Sequence, residues 1–366
     1  LRRRVGEGRI EIAGLFLNGS DLSDEPMIAA MLESVKFIRD AGFPVKAAMQ
    51  SDINGVPWAL AEYLPVAGIQ YLNMAQNTHR ALKPFDRPTV FWWESPSGKR
   101  LIVNRPEHYM WANNLGILSR IETFSTGLLR HLQDIAAKGY GFDSYAIQFS
   151  GYLTDNSPPS TTACKLVEEW NTTYLWPKLR LATLSEYLDE VKEKHGETLP
   201  VIRGAWPDWW MDGFGSAAIQ TAYARKAHSD YIANLGLASI ATIAGQPPTP
   251  SMNDLISQIT DDIAFYDEHT FGAAESITDP LCENSVVQLG QKESYVWSAV
   301  KKNFLYREAV MGRLQPLLPK RKSPSLVLFN PSGIERNGTV MVYIDHQMLP
   351  KDKKFTLNDQ AGQILP

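Results

Sequence analysis

Two acidic residues, Asp52 and Asp155, each lie in a polar turn that follows a short apolar segment. The apolar segments, residues 43–49 and 145–149, are typical of short buried strands. A carboxylate in such a turn can act as a nucleophile or as a general acid and base. Each also has an ordinary structural explanation, because aspartates cap helices and form Asx-turns. Both are therefore candidate catalytic groups, and the other motifs of the chain are needed to choose between the catalytic and the structural interpretation.

A third polar cluster consists of Asp267, Glu268 and His269. Two carboxylates beside an imidazole can supply ligands for a zinc-type ion or form an acid and base pair. A histidine near acids is also common as a surface residue that only forms hydrogen bonds. The flanking Phe265 and Phe271 argue against a solvated surface and favour a functional cluster.

The segment 203–213 contains three tryptophans and two aspartates, which is difficult to explain by core packing alone. Aromatic faces pack on the apolar faces of sugar rings, and carboxylates bind sugar hydroxyls. The segment 108–111 adds two aromatic side chains and a histidine, although any of these residues could also be structural. We therefore predict that Trp209, Trp210 and Asp212 line a carbohydrate subsite.

The elements that would position these residues change in character along the chain. Up to about residue 200, short apolar segments alternate with helical patterns, which favours a parallel sheet or barrel. In such barrels the carboxyl ends of the strands face the active site. The predicted strands are 8–14, 43–49, 68–74, 89–94, 99–103 and 145–149, and the predicted helices are 26–41, 59–64, 123–138 and 160–170.

Beyond residue 213 the pattern becomes that of a helical bundle, which we assign to residues 213–318. Its long helical patterns are followed by a basic, proline-containing linker. Two β-patterns after the linker, 325–331 and 338–344, predict the start of a further domain over residues 325–366. The bundle helices are predicted at 216–243, 251–266 and 291–314.

Composition excludes several classes of protein. Of the 366 residues 44% are apolar, so the chain can bury a core, and its net charge of −4 provides no basic surface for nucleic acid. No apolar run approaches the roughly 18 residues of a membrane span. Two cysteines are too few for a disulfide framework, and we expect two buried thiols. The chain contains no nucleophile elbow, phosphate loop or dinucleotide fingerprint.

The order of these motifs resembles glycoside hydrolase family 38, the retaining α-mannosidases. Asp52 falls where that family has its nucleophile, the Asp155 loop resembles its acid/base segment, and His269 lies near its metal-binding histidine. The resemblance spans essentially the whole chain. Its further motifs are residues 8–12, which resemble the family's Gly-Arg-x-Glu strand; 213–216 and 224–227, which resemble the start of its helical domain; and 326–331, which resemble the start of its β-domain.

The resemblance implies an α/β fold, with an incomplete seven-stranded (β/α) barrel-like catalytic domain over residues 1–212. A helical bundle and the start of a β-sandwich domain would follow. The turn at Asp52 reads Asp-Ile-Asn-Gly instead of Asp-Pro-Phe-Gly, and the expected His-His-Asp reads Asp-Glu-His. These departures indicate a divergent, bacterial branch. The family's upstream histidine-rich metal strand precedes this sequence, so we expect a fragment whose parent protein, rather than this piece, is active.

The implied chemistry is metal-dependent retaining hydrolysis. Asp52 would attack the anomeric carbon, Asp155 would be the general acid and base, and their carboxyls would lie roughly 5–5.5 Å apart. Zn²⁺ or another divalent metal would orient the sugar hydroxyls. The predicted metal ligands are Asp52, His269 and Asp267, and the predicted sugar contacts are Trp209, Trp210, Asp212, Glu268 and His108.

Three alternatives remain open at this point. A polysaccharide deacetylase-like metal hydrolase would release acetate instead of sugar, and a non-catalytic carbohydrate-binding relative would bind sugar without turnover. A purely structural protein would leave the acids at strand ends and the clustered tryptophans without a purpose. In every case except the last the partner is an oligosaccharide or glycan. A periplasmic or extracellular location is favoured over the cytoplasm, and no oligomeric state is assigned.

Overall fold

The computed structural model describes residues 1–77, 88–152, 155–206, 209–271 and 274–365. The chain divides into two compact units, Leu1–Leu318 and Pro319–Pro366. The predicted boundary between residues 212 and 213 falls inside the first unit, and the three-domain division stays a prediction. No helix among the described residues is both long and apolar enough to cross a bilayer.

The first unit contains a mixed five-stranded sheet with the strand order β1-β2-β4-β3-β5. Strands β1, β2 and β4 run parallel, while β3 runs antiparallel to β4 and parallel to β5. The carboxyl ends of β1, β2 and β4 therefore meet at one edge of the sheet, as the sequence predicts for the first two. The strands are β1 (Ala47–Ser51), β2 (Tyr71–Ala75), β3 (Thr89–Glu94), β4 (Arg100–Arg105) and β5 (Val201–Arg203).

Helices cover the sheet and form a separate bundle after it. Helix α2 begins where Asp24 accepts a hydrogen bond from the Met27 amide at 3.3 Å. It buries most of its apolar residues against the sheet, whereas Met27 packs in the core of the bundle. Helices α8, α9 and α10 pack on one another around a shared apolar core. The helices are α1 (Arg2–Gly6), α2 (Glu25–Asp40), α3 (Ala59–Val66), α4 (Trp111–Asn114), α5 (Ile121–Ala137), α6 (Thr162–Thr173), α7 (Leu184–His195), α8 (Ala218–Ile243), α9 (Pro250–Asp267) and α10 (Glu283–Leu314), with 3₁₀ helices at Trp209–Ala217, Ala274–Ser276 and Gln315–Leu317.

Several predicted strands are absent from the structure. Segment 8–14 contributes only an isolated bridge between Gly14 and Ala48, and segment 145–149 forms no strand. The backbone carbonyl of Gln148 instead accepts a hydrogen bond from the Ala112 amide at 3.0 Å. An apolar segment becomes a strand only where a neighbouring strand can pair with it, and the sequence pattern does not specify that partner. The described residues contain a five-stranded sheet within a mixed α/β fold, and the predicted seven-stranded barrel stays a prediction.

The second unit also departs from the prediction. Neither 325–331 nor 338–344 is a strand, and the bridge between Asn358 and Ile364 is isolated. The β-domain assignment therefore stays a prediction. Both cysteines are free, and Cys164 is exposed, so the expectation of two buried thiols was wrong. Cys164 lies on the solvent-facing side of α6, whereas the same helix buries Leu166 and Trp170.

Candidate active site

Asp52 lies immediately after β1, in a turn with an uncommon backbone conformation. Its φ of +66° is in the left-handed region, which a residue other than glycine adopts only when its surroundings enforce it. The Asp52 amide donates to the Ala75 carbonyl at 2.9 Å, and the Val56 amide donates to the Trp206 carbonyl at 2.8 Å. Helix α3 begins after Trp58 without a side-chain cap. Asp52 is therefore not a helix cap, and the turn directs its carboxylate to other partners.

Two side chains hold the Asp52 carboxylate. The Asn77 amide nitrogen donates to Oδ1 at 2.7 Å, and His269 Nε2 contacts Oδ2 at 3.1 Å. Burial alone would raise the pKa of Asp52, but the hydrogen bonds from His269 and Asn77, with the charges of His269 and His108, outweigh it. The pKa of Asp52 is therefore lowered, which keeps the group ionised at neutral pH. An ionised, oriented carboxylate is the form that a nucleophile requires.

His269 reaches Asp52 because the loop of residues 17–20 hydrogen-bonds both to the end of α9 and to β1. The loop is anchored by Gln50 on β1, whose side chain accepts from the Gly19 amide at 2.9 Å. On its other side the His269 amide donates to the Asn18 carbonyl at 2.9 Å. These contacts bring a histidine distant in sequence to the carboxyl end of the strand.

Glu268 pairs with the other ring nitrogen of His269, so the imidazole lies between two carboxylates. Burial would lower the pKa of His269, but its pairing with Asp52 and Glu268 raises it to about 9. Only 6% of His269 is exposed. At neutral pH the structure therefore holds an imidazolium between Glu268 and Asp52. Glu268 therefore lies on the side of His269 that faces away from Asp52. The predicted contact between Glu268 and sugar stays a prediction.

Tyr109 links the two candidate catalytic carboxylates. Its hydroxyl donates to Asp155 Oδ2 at 2.8 Å and also interacts with the Asp52 carboxylate. Burial and the two carboxylates raise the pKa of Tyr109 well above its ordinary value, so the hydroxyl keeps its proton. Asp155 itself is exposed. Both carboxylates thus lie next to one hydroxyl, and Asp155 is the more accessible of the two.

The predicted sugar contacts are placed differently from one another. His108 stacks on Tyr109 with 4.2 Å between ring centroids and contributes to the charge around Asp52, so it lies in the site. Asp212 is exposed on the 3₁₀ helix Trp209–Ala217. The next residue, Gly213, is packed so closely that an added Cβ would lie 3.0 Å from Phe271 Cβ. That contact brings Asp212 near the segment after His269.

The tryptophan-rich segment is partly structural. Trp206 is buried in the core, with its ring centroid 5.7 Å from Phe91 and 6.0 Å from Trp93. Trp209 and Trp210 begin the 3₁₀ helix, and their side chains lie outside the described part of the structure. Their predicted role as a sugar platform therefore stays a prediction.

Asp267 is directed away from Asp52. Its carboxylate contacts His228 Nε2 at 3.1 Å, and His228 Nδ1 contacts the Asp24 carboxylate at 2.9 Å. Asp267 is 1% exposed, and burial raises its pKa although His228 partly opposes the shift. The predicted ligand set is thus divided, because Asp52 faces His269 while Asp267 faces His228. No group of three metal-binding side chains is arranged around a common point in the described ranges. Of the three predicted ligands only Asp52 and His269 lie together, and the zinc site stays a prediction.

Replacing His228 with leucine is expected to lower the free energy of unfolding by about 3–5 kcal/mol. The leucine would leave the buried carboxylate of Asp267 without its partner, and Asp24 would lose its contact to α8. Urea denaturation followed by circular dichroism measures the loss. His131→Leu is the matched control, because His131 is also buried but its Nε2 contacts the neutral hydroxyl of Tyr145 at 3.0 Å. Equal losses for both variants would contradict the ionic explanation.

The ion pairs of His228 also predict that the free energy of unfolding depends on pH. Burial opposes protonation of His228, but the carboxylates of Asp24 and Asp267 raise its pKa from 6.5 to about 9. Its contribution to stability is therefore complete below pH 6.5 and is lost as the pH rises through about 9. The stability gap between the native protein and His228→Leu should accordingly narrow as the pH approaches 9.

Sequence reasoning missed two members of the site. Asn77, which holds Asp52, follows the end of β2 just as Asp52 follows β1, so the polar residue after a buried strand was a usable signal. The sequence identified Tyr109 only as an aromatic residue of segment 108–111. The position of its hydroxyl depends on the path of the backbone after β4. No local pattern in the sequence indicates that this hydroxyl reaches two carboxylates.

Comparisons with known proteins agree with this architecture. A family model described as "Glycosyl hydrolases family 38 N-terminal domain" matches residues 1–205. No curated protein sequence matches the chain. Among solved structures, the fold is similar to that of an α-mannosidase from Enterococcus faecalis V583, with a TM-score of 0.61 and 15% sequence identity. The alignment covers 86% of this chain and 35% of that one, so the chain spans about a third of that protein's length.

Proposed function

The chain belongs to glycosyl hydrolase family 38, and from this premise we propose that the protein containing it hydrolyses glycosidic bonds of α-mannosides. The observation that carries the proposal is the pair of carboxylates, Asp52 and Asp155, that share the Tyr109 hydroxyl. Two carboxylates close together are what a retaining glycosidase needs for its nucleophile and its acid/base. The name of the similar solved structure supports α-mannosides as the substrate class.

The proposed reaction has two displacements. In the first, an oxygen of Asp52 forms a bond to the anomeric carbon while the bond from that carbon to the leaving oxygen breaks. Asp155 gives its proton to the leaving oxygen. In the second, Asp155 removes a proton from water, and the water oxygen displaces Asp52 from the anomeric carbon. The sugar is released with its original anomeric configuration.

The neighbours of Asp52 support the role assigned to it. Asn77 and His269 bind its two oxygens separately, which fixes the carboxylate plane and leaves the group charged. The positive charge of His269 also favours expulsion of Asp52 as a carboxylate in the second displacement. A divalent metal is part of the proposal only through the family resemblance. Asp52 and His269 would be the ligands that this chain contributes, and the charge of the metal would then replace that of the imidazolium, because a ligating histidine is neutral.

Tyr109→Phe is expected to lower kcat by about 10- to 100-fold, because the change removes a hydrogen bond to charged groups. Without the hydroxyl, Asp155 loses its hydrogen-bond donor and Asp52 loses a neighbouring hydroxyl. Steady-state kinetics with an aryl α-mannoside measures the effect. Tyr140→Phe is the control, since its hydroxyl donates to the Ser144 carbonyl at 2.9 Å, outside the site. Equal rates for Tyr109→Phe and the native protein would remove Tyr109 from the mechanism.

The function is tested by incubating the full-length protein with an aryl α-mannoside and following the first-formed sugar by NMR. Release of the α-anomer before mutarotation is the expected result. Sugar binding without turnover would support the non-catalytic alternative, and acetate release from acetylated glycans would support the deacetylase alternative.

A further inference from the structure

Lys292, on α10, is an almost fully buried lysine whose ammonium group lies at the C-terminal end of α9. Its exposed fraction is 7%. Nζ donates to the backbone carbonyls of Phe265 at 2.8 Å and Glu268 at 2.7 Å, and it lies 3.6 Å from Glu268 Oε2. The main-chain contacts satisfy carbonyls that a helix end leaves without partners. The side-chain contact is an addition that a helix cap does not require.

Glu268 connects this lysine to the candidate active site. Its Oε1 pairs with His269 Nδ1, while its Oε2 faces Lys292 and accepts from the Thr270 amide at 2.9 Å. The carboxylate is therefore held on one side so that its other oxygen meets His269. His269 in turn contacts Asp52 at 3.1 Å. Lys292, Glu268, His269 and Asp52 thus form a continuous series of contacts between charged side chains, from α10 to the carboxyl end of β1.

We propose that Lys292 is a positioning residue of the active site, which fixes Glu268 so that Glu268 holds His269 against Asp52. The inference rests on the proposed function, because the value of positioning His269 lies in the orientation of the nucleophile. Lys292 touches neither Asp52 nor the place where a substrate bond would break. Its effect reaches the chemistry through the two side chains between them.

A purely structural lysine would join α10 to α9 without affecting His269, and the same helix provides one for comparison. Lys302 donates to Asp262 Oδ2 at 2.7 Å, and Asp262 is also on α9. Lys302 is partly buried, with 23% of its side chain exposed. The two lysines connect the same pair of helices, but only Lys292 contacts Glu268. Lys302→Met is therefore the matched control for Lys292→Met.

Two measurements on the full-length protein separate these roles. Diethyl pyrocarbonate modifies accessible, unprotonated imidazoles, and peptide mass spectrometry gives the rate for each histidine. We expect Lys292→Met to raise the modification rate of His269 at least about threefold, while His131 stays at the native rate. In aryl α-mannoside kinetics we expect kcat to fall about 10-fold in Lys292→Met, with KM changed less than about twofold. Lys302→Met should match the native protein in both measurements.

Equal His269 modification rates in Lys292→Met and Lys302→Met would overturn the inference and leave Lys292 as a helix cap. A parallel rise at His131 would also overturn it, since that pattern indicates general loosening. If the native protein does not turn over the substrate, the proposed function fails, but the His269 rates still decide the role of Lys292. Should Lys292→Met fail to fold, Lys292→Gln replaces it, because glutamine keeps hydrogen-bond donors without the charge.

Discussion

Asp52→Ala is expected to lower kcat/KM for an aryl α-mannoside by at least about 10⁴-fold. Asp52 is the one candidate whose strained turn, ionised state and two hydrogen-bond partners all serve to present a carboxylate. Without that oxygen the first displacement has no nucleophile. Parallel kinetics of the native protein and the variant measure the loss.

Asp261→Ala is a suitable control, because it removes an exposed carboxylate from the surface of α9. Added azide provides a second control, since a small anion can enter the space left by the Asp52 side chain and attack the anomeric carbon directly. Recovered activity should then produce a glycosyl azide of inverted configuration. Undiminished hydrolysis by Asp52→Ala would exclude Asp52 as the nucleophile.

Asp155→Ala is expected to affect poor leaving groups far more than good ones. General acid catalysis contributes about 10²–10⁴-fold where the leaving oxygen needs a proton. We therefore expect a loss of that size with an alkyl α-mannoside and a much smaller loss in the glycosylation step with a dinitrophenyl α-mannoside. The variant leaves Tyr109 in place, so its hydroxyl still faces Asp52.

The measurement is kcat/KM across a series of leaving groups of different acidity. A steeper dependence on leaving-group pKa in Asp155→Ala than in the native protein is the expected pattern. Asp155→Asn is a closer match in shape and should show the same slope. Equal slopes for the native protein and both variants would show that another group protonates the leaving oxygen.

Local features of the sequence predicted part of the fold and the site. Strands β1 and β2 are short, apolar and closed by polar turns, so their positions and the placement of Asp52 follow from nearby residues alone. The long helices α8, α9 and α10 were also visible, because helical periodicity extends over many residues. Three-residue strand β5 has no such pattern and was missed.

Contacts between distant elements could not be predicted in this way. Asp267 and His269 are two residues apart, yet one faces His228 on α8 and the other faces Asp52 after β1. The directions of the two side chains depend on how α9 ends and on the loop of residues 17–20, which hydrogen-bonds both to that end and to β1. The strand predicted at 145–149 failed for a related reason, since pairing requires a neighbour that local sequence does not reveal.

The central claim is that Asp52 forms a covalent bond to the sugar, and a trapping experiment tests it most directly. A 5-fluoro-mannosyl fluoride would glycosylate the full-length protein faster than water can release the sugar. The ring fluorine slows both displacements because it destabilises their positively charged transition states, while departure of the anomeric fluoride, a good leaving group, keeps the first displacement fast. Intact mass should increase by one fluorosugar, and peptide mass spectrometry should place it on Asp52. A label on any other residue, or hydrolysis with inversion and no label, would contradict this account.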